Sequence, residues 1–218
     1  MLYEELQIKL LKLLRGSWDR VISLDMETHV LDPSHFLKGE RILSISLARR
    51  TSRNFMEEDG IEIITLFLDE ENDDSEKELL RSLDRELSAI EPLGVIGYGL
   101  RQYDIPLLIM KKQHYKLLLW NLIDMTESAV HIDLYHLLKY KGYKKLDQAL
   151  SSQEFACLPL KRTRDILPTD RTKKGEEVYR LWKENREELK KYAEGEVHDI
   201  LLIAEKLAFG EPSDNDGR

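Results

Sequence analysis

The 218-residue sequence predicts an α/β domain in which helices flank a mixed five-stranded sheet. Hydrophobic residues make up 42% of the chain and charged residues 34%, so it can bury a core beneath a heavily solvated surface. The predicted elements run strand, strand, strand, helix, strand, helix, strand, and then helices. That order fits one domain with an added N-terminal helix.

Five short segments rich in isoleucine, valine and leucine are predicted to be strands. Turn-prone or polar stretches such as Asp32–Ser34 and Glu57–Gly60 separate them. The five segments are Val21–Met26, Arg41–Ala48, Ile61–Leu68, Leu93–Tyr98 and Val130–Leu134. The first three follow one another directly, whereas each of the last two comes after a helix, which favours a mixed sheet.

Apolar residues at helical spacing predict the covering helices. Residues 2–15 form an amphipathic helix, which we expect to dock on the same domain, with a subunit contact as the alternative. The other predicted helices are Ser75–Ile90, Asp104–Leu119, Leu134–Tyr140, Lys145–Ser151 and Glu176–Phe209, the last one broken near Asn185. We therefore divide the chain into an N-terminal helix (1–20), a main domain (21–210) and a polar tail (211–218).

Neither a membrane span nor a secretion signal is predicted. No apolar run approaches the roughly 18 residues needed to cross a bilayer, and charges interrupt the N-terminal leucines. Cys157 is the only cysteine, so no internal disulfide can form. We expect a reducing, cytoplasmic environment and no membrane partner.

The charge of the chain is unevenly distributed. The net charge of −8 would argue against a nucleic-acid partner if it were spread evenly. Residues 139–174 carry ten basic and four acidic side chains, a local charge of +6 (10 − 4) that leaves −14 for the remainder (−8 − 6). A solvated face is the simplest interpretation of such a run. The alternative is a surface that follows a nucleic-acid backbone, with Tyr140 and Tyr143 available for stacking.

Asp25 and Glu27 form the first candidate for a site of chemistry. They end the first strand on the same side, because side chains alternate along a strand. Two carboxylates held together in a central strand repel each other, and a divalent cation commonly offsets that cost. A strand end that emerges into solvent is the structural alternative.

Asp104 and the C-terminal helix supply the other two candidates. Asp104 lies where a strand gives way to a helix, at the edge of the sheet where α/β folds place ligands. An aspartate just ahead of Pro106 is also a good helix cap. Tyr192 and Glu196 are one helical turn apart, with Asp199 three residues further on. A helix that turns its polar face outward is the alternative explanation.

Together these segments resemble the tyrosine-type branch of the DEDD superfamily of 3′-to-5′ exonucleases, which includes the proofreading domain of family B DNA polymerases. Asp25–Thr28, Gly97–Pro106 and Tyr192–Val197 resemble its first, second and third motifs. Ile132–Tyr135 and Lys145–Asp147 are similar to two further segments of that domain. The shared order of these segments along the chain makes a chance match improbable.

The resemblance covers about residues 21–207 and implies a ribonuclease H-like exonuclease domain. It implies removal of nucleoside 5′-monophosphates from the 3′ end of single-stranded DNA by two divalent metal ions, Mg²⁺ or Mn²⁺. The implied metal ligands are Asp25, Glu27, Asp104 and Glu196, and Tyr192 completes the implied catalytic set. We expect Met26, Thr28, Tyr103, Lys145 and Lys174 to contact the nucleic acid.

Two positions depart from the family pattern. Gly99 stands where the second motif has asparagine, and Glu196 stands where the third has aspartate. The longer side chain could favour Mn²⁺, or Asp199 could take its place as a ligand. A non-catalytic nucleic-acid-binding module therefore stays open as an alternative. RNA as the substrate also stays open, because discrimination between sugars rests on contacts to the 2′ hydroxyl that the sequence does not show. A homo-oligomer, including a trimer, is also open.

Overall fold

The computed structural model describes residues 3–35, 37–168 and 171–210. Its strands are β1 (Val21–Val30), β2 (Glu40–Arg50), β3 (Ile61–Phe67), β4 (Gly94–Gly97) and β5 (Val130–Asp133). They form a sheet in the order β3-β2-β1-β4-β5. β2 is antiparallel to both β1 and β3, whereas β4 is parallel to both β1 and β5. The predicted mixed five-stranded sheet is confirmed, and β1 lies at its centre.

Helices flank the sheet. They are α1 (Tyr3–Leu13), α2 (Asp73–Ile90), α3 (Asp104–His114), α4 (Trp120–Glu127), α5 (Leu134–Tyr140), α6 (Leu146–Leu150), α7 (Arg171–Glu184) and α8 (Arg186–Phe209). Short 3-10 segments cover Leu14–Arg20, Gln153–Phe155 and Thr163–Ile166. Within the described ranges, no helix is long and apolar enough to cross a membrane. The predicted polar tail, residues 211–218, lies outside the described residues.

Alternation along β1 divides the interior into two hydrophobic cores. Ile22, Leu24 and Met26 lie in the core that α2, α3 and α7 cover. Ser23 lies on the opposite face, where its hydroxyl donates a hydrogen bond of 2.7 Å to the carbonyl of Val197 in α8. The carboxylates that follow at alternate positions of β1 therefore share the face on which α8 packs.

The N-terminal helix α1 docks on the body of the chain, which was the first of the two predicted alternatives. Leu11 is fully buried in the core shared with α5 and α8. The Gln7 side chain accepts a hydrogen bond of 3.0 Å from the backbone of Asp133 and donates one of 3.3 Å to the carbonyl of His131. These contacts tie α1 to β5.

The predicted helix Asp104–Leu119 is wrong at its C-terminal end. α3 ends at His114, and Lys116 then takes a left-handed conformation with φ of +53°. The N–H of Leu117 closes the turn on the carbonyl of Lys112 at 3.0 Å. A residue in the left-handed conformation commonly ends a helix, and it is usually glycine. Here it is a lysine, so the sequence carries no signal for the end of α3. α4 was not predicted, because no side chain caps its N-terminus.

The last predicted helical region is two helices, α7 and α8, and the predicted break at Asn185 is confirmed. Asn185 caps α8 by accepting a hydrogen bond from the N–H of Glu188. α7 begins at Arg171, five residues before the predicted start at Glu176. Lys174 consequently lies in the first turn of a helix rather than in a loop.

Candidate metal centre and its cleft

A cleft of about 480 Å³ opens at the carboxyl ends of β1 and β4. It is walled by these strand ends, the loop after β4, and parts of α3, α7 and α8. The predicted site residues that line it are Asp25, Met26, Glu27, Thr28, Tyr103, Asp104, Lys174 and Glu196. The fold thus brings together segments from both halves of the chain at the sheet edge where ligands of α/β folds bind.

Asp25, Glu27 and Glu196 form a cluster, here called the acidic trio. Each offers a carboxylate oxygen, and these oxygens all lie within 4.8 Å of one another. Oδ2 of Asp25 is buried and has no hydrogen-bond partner among the described residues. A buried carboxylate oxygen is costly without a donor or a cation, and hard divalent cations prefer such oxygens. The acidic trio could therefore bind a divalent metal ion.

Burial and like charges act together on the carboxyl groups of the cleft. Burial raises the pKa of Asp25 well above its ordinary value, and the charges of Glu196 and Glu27 raise it further. Burial also raises the pKa of Asp104, with the charge of Glu27 adding to the effect. A cation bound here would favour the ionised carboxylates and reverse these shifts.

Asp104 is a fourth carboxylate of the cleft. It is buried at the start of α3, and its oxygens lie outside the acidic trio. The helix cap position belongs to Tyr103, so the predicted alternative of a capping aspartate is wrong. Asp104 thus lines the cleft from the first residue of α3, and its carboxyl also accepts a hydrogen bond from its own backbone N–H.

The predicted tyrosine and glutamate of α8 are in direct contact. The Tyr192 hydroxyl donates a hydrogen bond of 2.6 Å to Oε2 of Glu196, and both side chains are buried. The alternative of an outward polar face is therefore wrong for this part of α8. Asp199 instead accepts hydrogen bonds from the backbone of Lys161 (2.7 Å) and Arg162 (2.9 Å). Glu196, and not Asp199, belongs to the acidic trio.

Gly195 lets a neighbouring segment pack directly against this part of α8. A Cβ at Gly195 would lie 2.1 Å from Oγ1 of Thr163, which is too close for any side chain. Thr163 also donates a hydrogen bond of 3.0 Å to the carbonyl of Tyr192. The 3-10 segment that contains Thr163 therefore packs directly on α8 at Gly195.

Lys174 reaches into the acidic trio. Its Nζ lies 3.0 Å from Oε1 of Glu27 and 3.8 Å from Oε2 of Glu196, and 5.1 Å from the centre of the Tyr192 ring. Burial would lower the pKa of Lys174, but the charges of Glu27 and Glu196 outweigh it and raise that pKa well above its ordinary value. A residue predicted to contact nucleic acid thus neutralises part of the acidic site itself.

Asp133 fixes the loop between β4 and Asp104. Its Oδ1 accepts hydrogen bonds from the backbone N–H groups of Gly99 (2.9 Å) and Tyr135 (3.0 Å), and its Oδ2 accepts one from Arg101 (3.2 Å). Gly99 has φ of +80°, a conformation that favours glycine. The resemblance includes Asp133 only within the segment Ile132–Tyr135 and implies no role for it.

Glu40 is a residue of the cleft that the sequence analysis missed. The hydroxyls of Thr28 and Tyr103 lie 2.6 Å apart, and both donate to Oε2 of Glu40, the threonine at 2.8 Å. Glu40 is buried at the start of β2. No local motif marks it, because it reaches the cleft only through the antiparallel pairing of Val30 with Glu40.

The residues predicted to contact nucleic acid from the basic segment 139–174 differ in exposure. Lys145 is exposed at the start of α6, next to Leu146, which lines the cleft. Tyr140 has half of its surface exposed, whereas the Tyr143 hydroxyl donates to Glu154 at 2.9 Å. Lys145 and Tyr140 are therefore exposed, whereas the Tyr143 hydroxyl is engaged within the chain.

Comparison with known proteins shows the fold. No family model and no curated protein matches the chain. Among solved structures, the chain is similar to the family B DNA polymerase from the hyperthermophilic archaeon Pyrobaculum calidifontis, with a TM-score of 0.66 and 19% sequence identity. The chain has a ribonuclease H-like fold. The match covers 86% of the chain and 24% of the polymerase, so the chain corresponds to about a quarter of that protein.

Proposed function

We propose that this chain is a metal-dependent 3′-to-5′ exonuclease of the tyrosine type that acts on single-stranded DNA. The observation that carries the proposal is the acidic trio, whose third member, Glu196, accepts the hydrogen bond of Tyr192. The structural likeness to a family B DNA polymerase agrees with this assignment. Residues 21–210 would form the nuclease domain, with residues 1–20 added at its N-terminus.

The proposed reaction uses divalent ions, Mg²⁺ or Mn²⁺, and the family resemblance implies two of them. Asp25, Glu27, Glu196 and Asp104 would hold them. Bound there, the ions would make a water more acidic and stabilise the negative charge of the leaving 3′ oxygen. The role of the protein is to hold four carboxylates in a partly buried cleft at the end of β1.

Tyr192 is assigned the orientation of the attacking water. Without a metal ion, burial and the charges of Glu196 and Glu27 raise the pKa of its hydroxyl above its ordinary value, and the phenol is protonated. The hydroxyl proton is given to Glu196, which leaves the oxygen lone pairs able to accept a hydrogen bond from water. Tyr192 therefore positions the nucleophile and does not act as its base.

The rim of the cleft is assigned to the 3′-terminal nucleotide. Thr28 and Tyr103 are held in place by Glu40, and Met26 lines the floor beside them. Lys145 would meet backbone phosphates further along the strand, where a basic side chain adds sequence-independent affinity. Single-stranded DNA would enter this cleft by its 3′ end. Hydrolysis of the terminal phosphodiester would then release a nucleoside 5′-monophosphate.

A non-catalytic nucleic-acid-binding module is the second candidate. The observation in its favour is Lys174, whose ammonium lies between Glu27 and Glu196 and could replace a metal permanently. Glycine at position 99 also removes an amide that the family uses in its second motif. This candidate predicts binding of a 3′ end without cleavage.

The deciding experiment is digestion of a 5′-labelled single-stranded DNA oligonucleotide in Mg²⁺, Mn²⁺ or chelator, beside a matched RNA. We expect a ladder of single-nucleotide steps that requires metal and is lost in Asp25→Asn and Glu196→Gln. Glu194→Gln is the matched control, because Glu194 lies on the same helix and pairs with Lys190 outside the acidic trio.

Three outcomes separate the candidates. Cleavage of DNA that survives Asp25→Asn would contradict the assigned site. Faster cleavage of the RNA would make the chain an exoribonuclease. If the wild type binds the DNA but leaves both oligonucleotides intact in either metal, the binding module is the better account.

A further inference from the structure

Lys174 supplies the acidic trio with positive charge from within the chain. Its ammonium is within 4.0 Å of two of the three carboxylates, Glu27 and Glu196, and it lies over the ring of Tyr192. Carboxylates held this close cannot all stay ionised without a nearby cation. The lysine therefore performs, in the protein alone, part of the electrostatic role of a metal ion.

A divalent ion and this ammonium compete for the same oxygens. Mg²⁺ binds carboxylate oxygen at about 2.1 Å, well inside the 3.0 Å between Nζ of Lys174 and Oε1 of Glu27. An ion bound to Glu27 and Glu196 would thus lie within a few ångströms of Nζ. Like charges at that separation repel strongly in a partly buried cleft.

The side chain of Lys174 is able to move away from the acidic trio. It is 31% exposed, whereas its partner Glu27 is almost completely buried. Its four-carbon stem is flexible, and Lys174 and the following residue, Gly175, both line the cleft. The ammonium can therefore swing toward the mouth of the cleft without repacking the core.

We propose that Lys174 is the resident counter-cation of the metal-free site, and that a divalent ion binds by displacing its ammonium toward the mouth of the cleft. The proposal rests on the metal site of the proposed function and adds that this lysine sets the affinity of that site. Metal binding is then an exchange of cations. The displaced ammonium would face the phosphates of the incoming strand.

Isothermal titration of the full chain with Mn²⁺ tests the exchange. Lys174→Met keeps the apolar stem and removes the competing charge, so we expect it to bind Mn²⁺ on the order of tenfold more tightly than the wild type. Lys173→Met is the matched control, since it removes a neighbouring exposed charge from the same turn of α7. Equal or weaker binding by Lys174→Met would overturn the proposal.

A second measurement needs no substitution. The wild-type chain is acetylated briefly with an amine-reactive ester in chelator or in Mn²⁺, and the modified lysines are quantified by mass spectrometry. We expect Mn²⁺ to make Lys174 several-fold more reactive, because its amine leaves the carboxylates, and to leave Lys173 unchanged. Identical labelling of Lys174 in both conditions would contradict the exchange.

The outcomes also separate this proposal from the nuclease itself. If the wild type binds Mn²⁺ and cleaves DNA while Lys174→Met shows no gain in affinity, the exchange is wrong and the nuclease stands. If only Lys174→Met binds Mn²⁺, the lysine is a permanent substitute for metal, and both proposals fail. If neither chain binds Mn²⁺, the metal site is wrong and the exchange falls with it.

Discussion

The hydroxyl of Tyr192 donates a 2.6 Å hydrogen bond to Glu196, one turn further along α8. Positions four apart on a helix share a face, so this contact is built into the local sequence. Its consequence is not local, because Glu196 also meets Asp25 and Glu27 of β1 in the acidic trio. Tyr192 is thereby linked to the candidate metal site through the residue that completes it.

Tyr192→Phe tests the role of the hydroxyl. The substitution keeps the ring and its packing but removes the group assigned to orient water. We expect kcat on single-stranded DNA to fall on the order of 10²-fold, with Mn²⁺ affinity little changed, as measured by single-turnover cleavage and titration. Tyr179→Phe removes a hydroxyl outside the cleft and serves as control. A Tyr192→Phe protein with the wild-type rate would refute the orienting role.

Glu196→Asp introduces the aspartate of the tyrosine-type exonuclease pattern, yet we expect it to weaken the proposed metal site. Removing one methylene withdraws the carboxylate by roughly 1.5 Å, away from both Tyr192 and the rest of the acidic trio. Mg²⁺ tolerates such displacement poorly, so the Mg²⁺ concentration for half-maximal cleavage should rise on the order of tenfold, and less for Mn²⁺. A lower half-maximal Mg²⁺ concentration for this variant would show that glutamate at position 196 weakens the metal site.

Gly99 can accept the asparagine of the family pattern without crowding. A Cβ there would meet nothing within 4 Å, so the cost comes from its φ of +80° alone. Asparagine tolerates this region better than β-branched residues. Urea unfolding should show a loss below about 1 kcal/mol for Gly99→Asn and about 2 kcal/mol for Gly99→Val. Equal losses would mean that the backbone conformation is not what selects glycine.

Asp133→Asn tests the anchor of the loop that leads to Asp104. Oδ1 can keep its two donors, but an amide nitrogen in place of Oδ2 faces the N–H of Arg101 with no acceptor. We expect a loss of about 2 kcal/mol in unfolding free energy and faster exchange of the Arg101 amide hydrogen. Asp74→Asn, at a side chain that is 92% exposed and pairs with Lys77 on the surface of α2, should cost less than about 1 kcal/mol and leave the exchange of the Arg101 amide unchanged. Unchanged exchange at Arg101 would argue against the anchor.

Glu71 links α7 to β1, and we expect its contribution to stability to depend on pH. It accepts hydrogen bonds from Tyr179 of α7 (2.5 Å) and from His29 of β1 (3.0 Å). Partial burial raises the pKa of Glu71, but these hydrogen bonds outweigh it and bring the pKa below its ordinary value of 4.5. A lowered carboxyl pKa stabilises the fold above the unfolded pKa, and that contribution is lost as the pH falls through the folded pKa.

The wild type should therefore exceed Glu71→Gln in unfolding free energy by about 1 kcal/mol at pH 7. This difference should shrink as the pH falls below about 4.5. Urea unfolding at pH 7, 5 and 3 measures it. A difference that stays constant across this range would show that the charge of Glu71 contributes nothing.

The sequence by itself determined which residues share a face. Alternation along β1 placed Asp25 and Glu27 together, helical spacing placed Tyr192 beside Glu196, and Asn185 marked the start of α8. These properties depend on the period of a strand or helix and on its caps, which a few neighbouring residues specify. The α/β class and the mixed sheet follow from the same local patterns in their order along the chain.

Only the tertiary structure decided where each face points and what it meets. Lys174 lies in the acidic trio, Asp199 lies against the backbone of Lys161, and Glu40 reaches Thr28 and Tyr103. Each of these contacts joins elements that are distant in the chain or paired across the sheet. The partner of a side chain depends on how such elements pack, and no local period or cap carries that information.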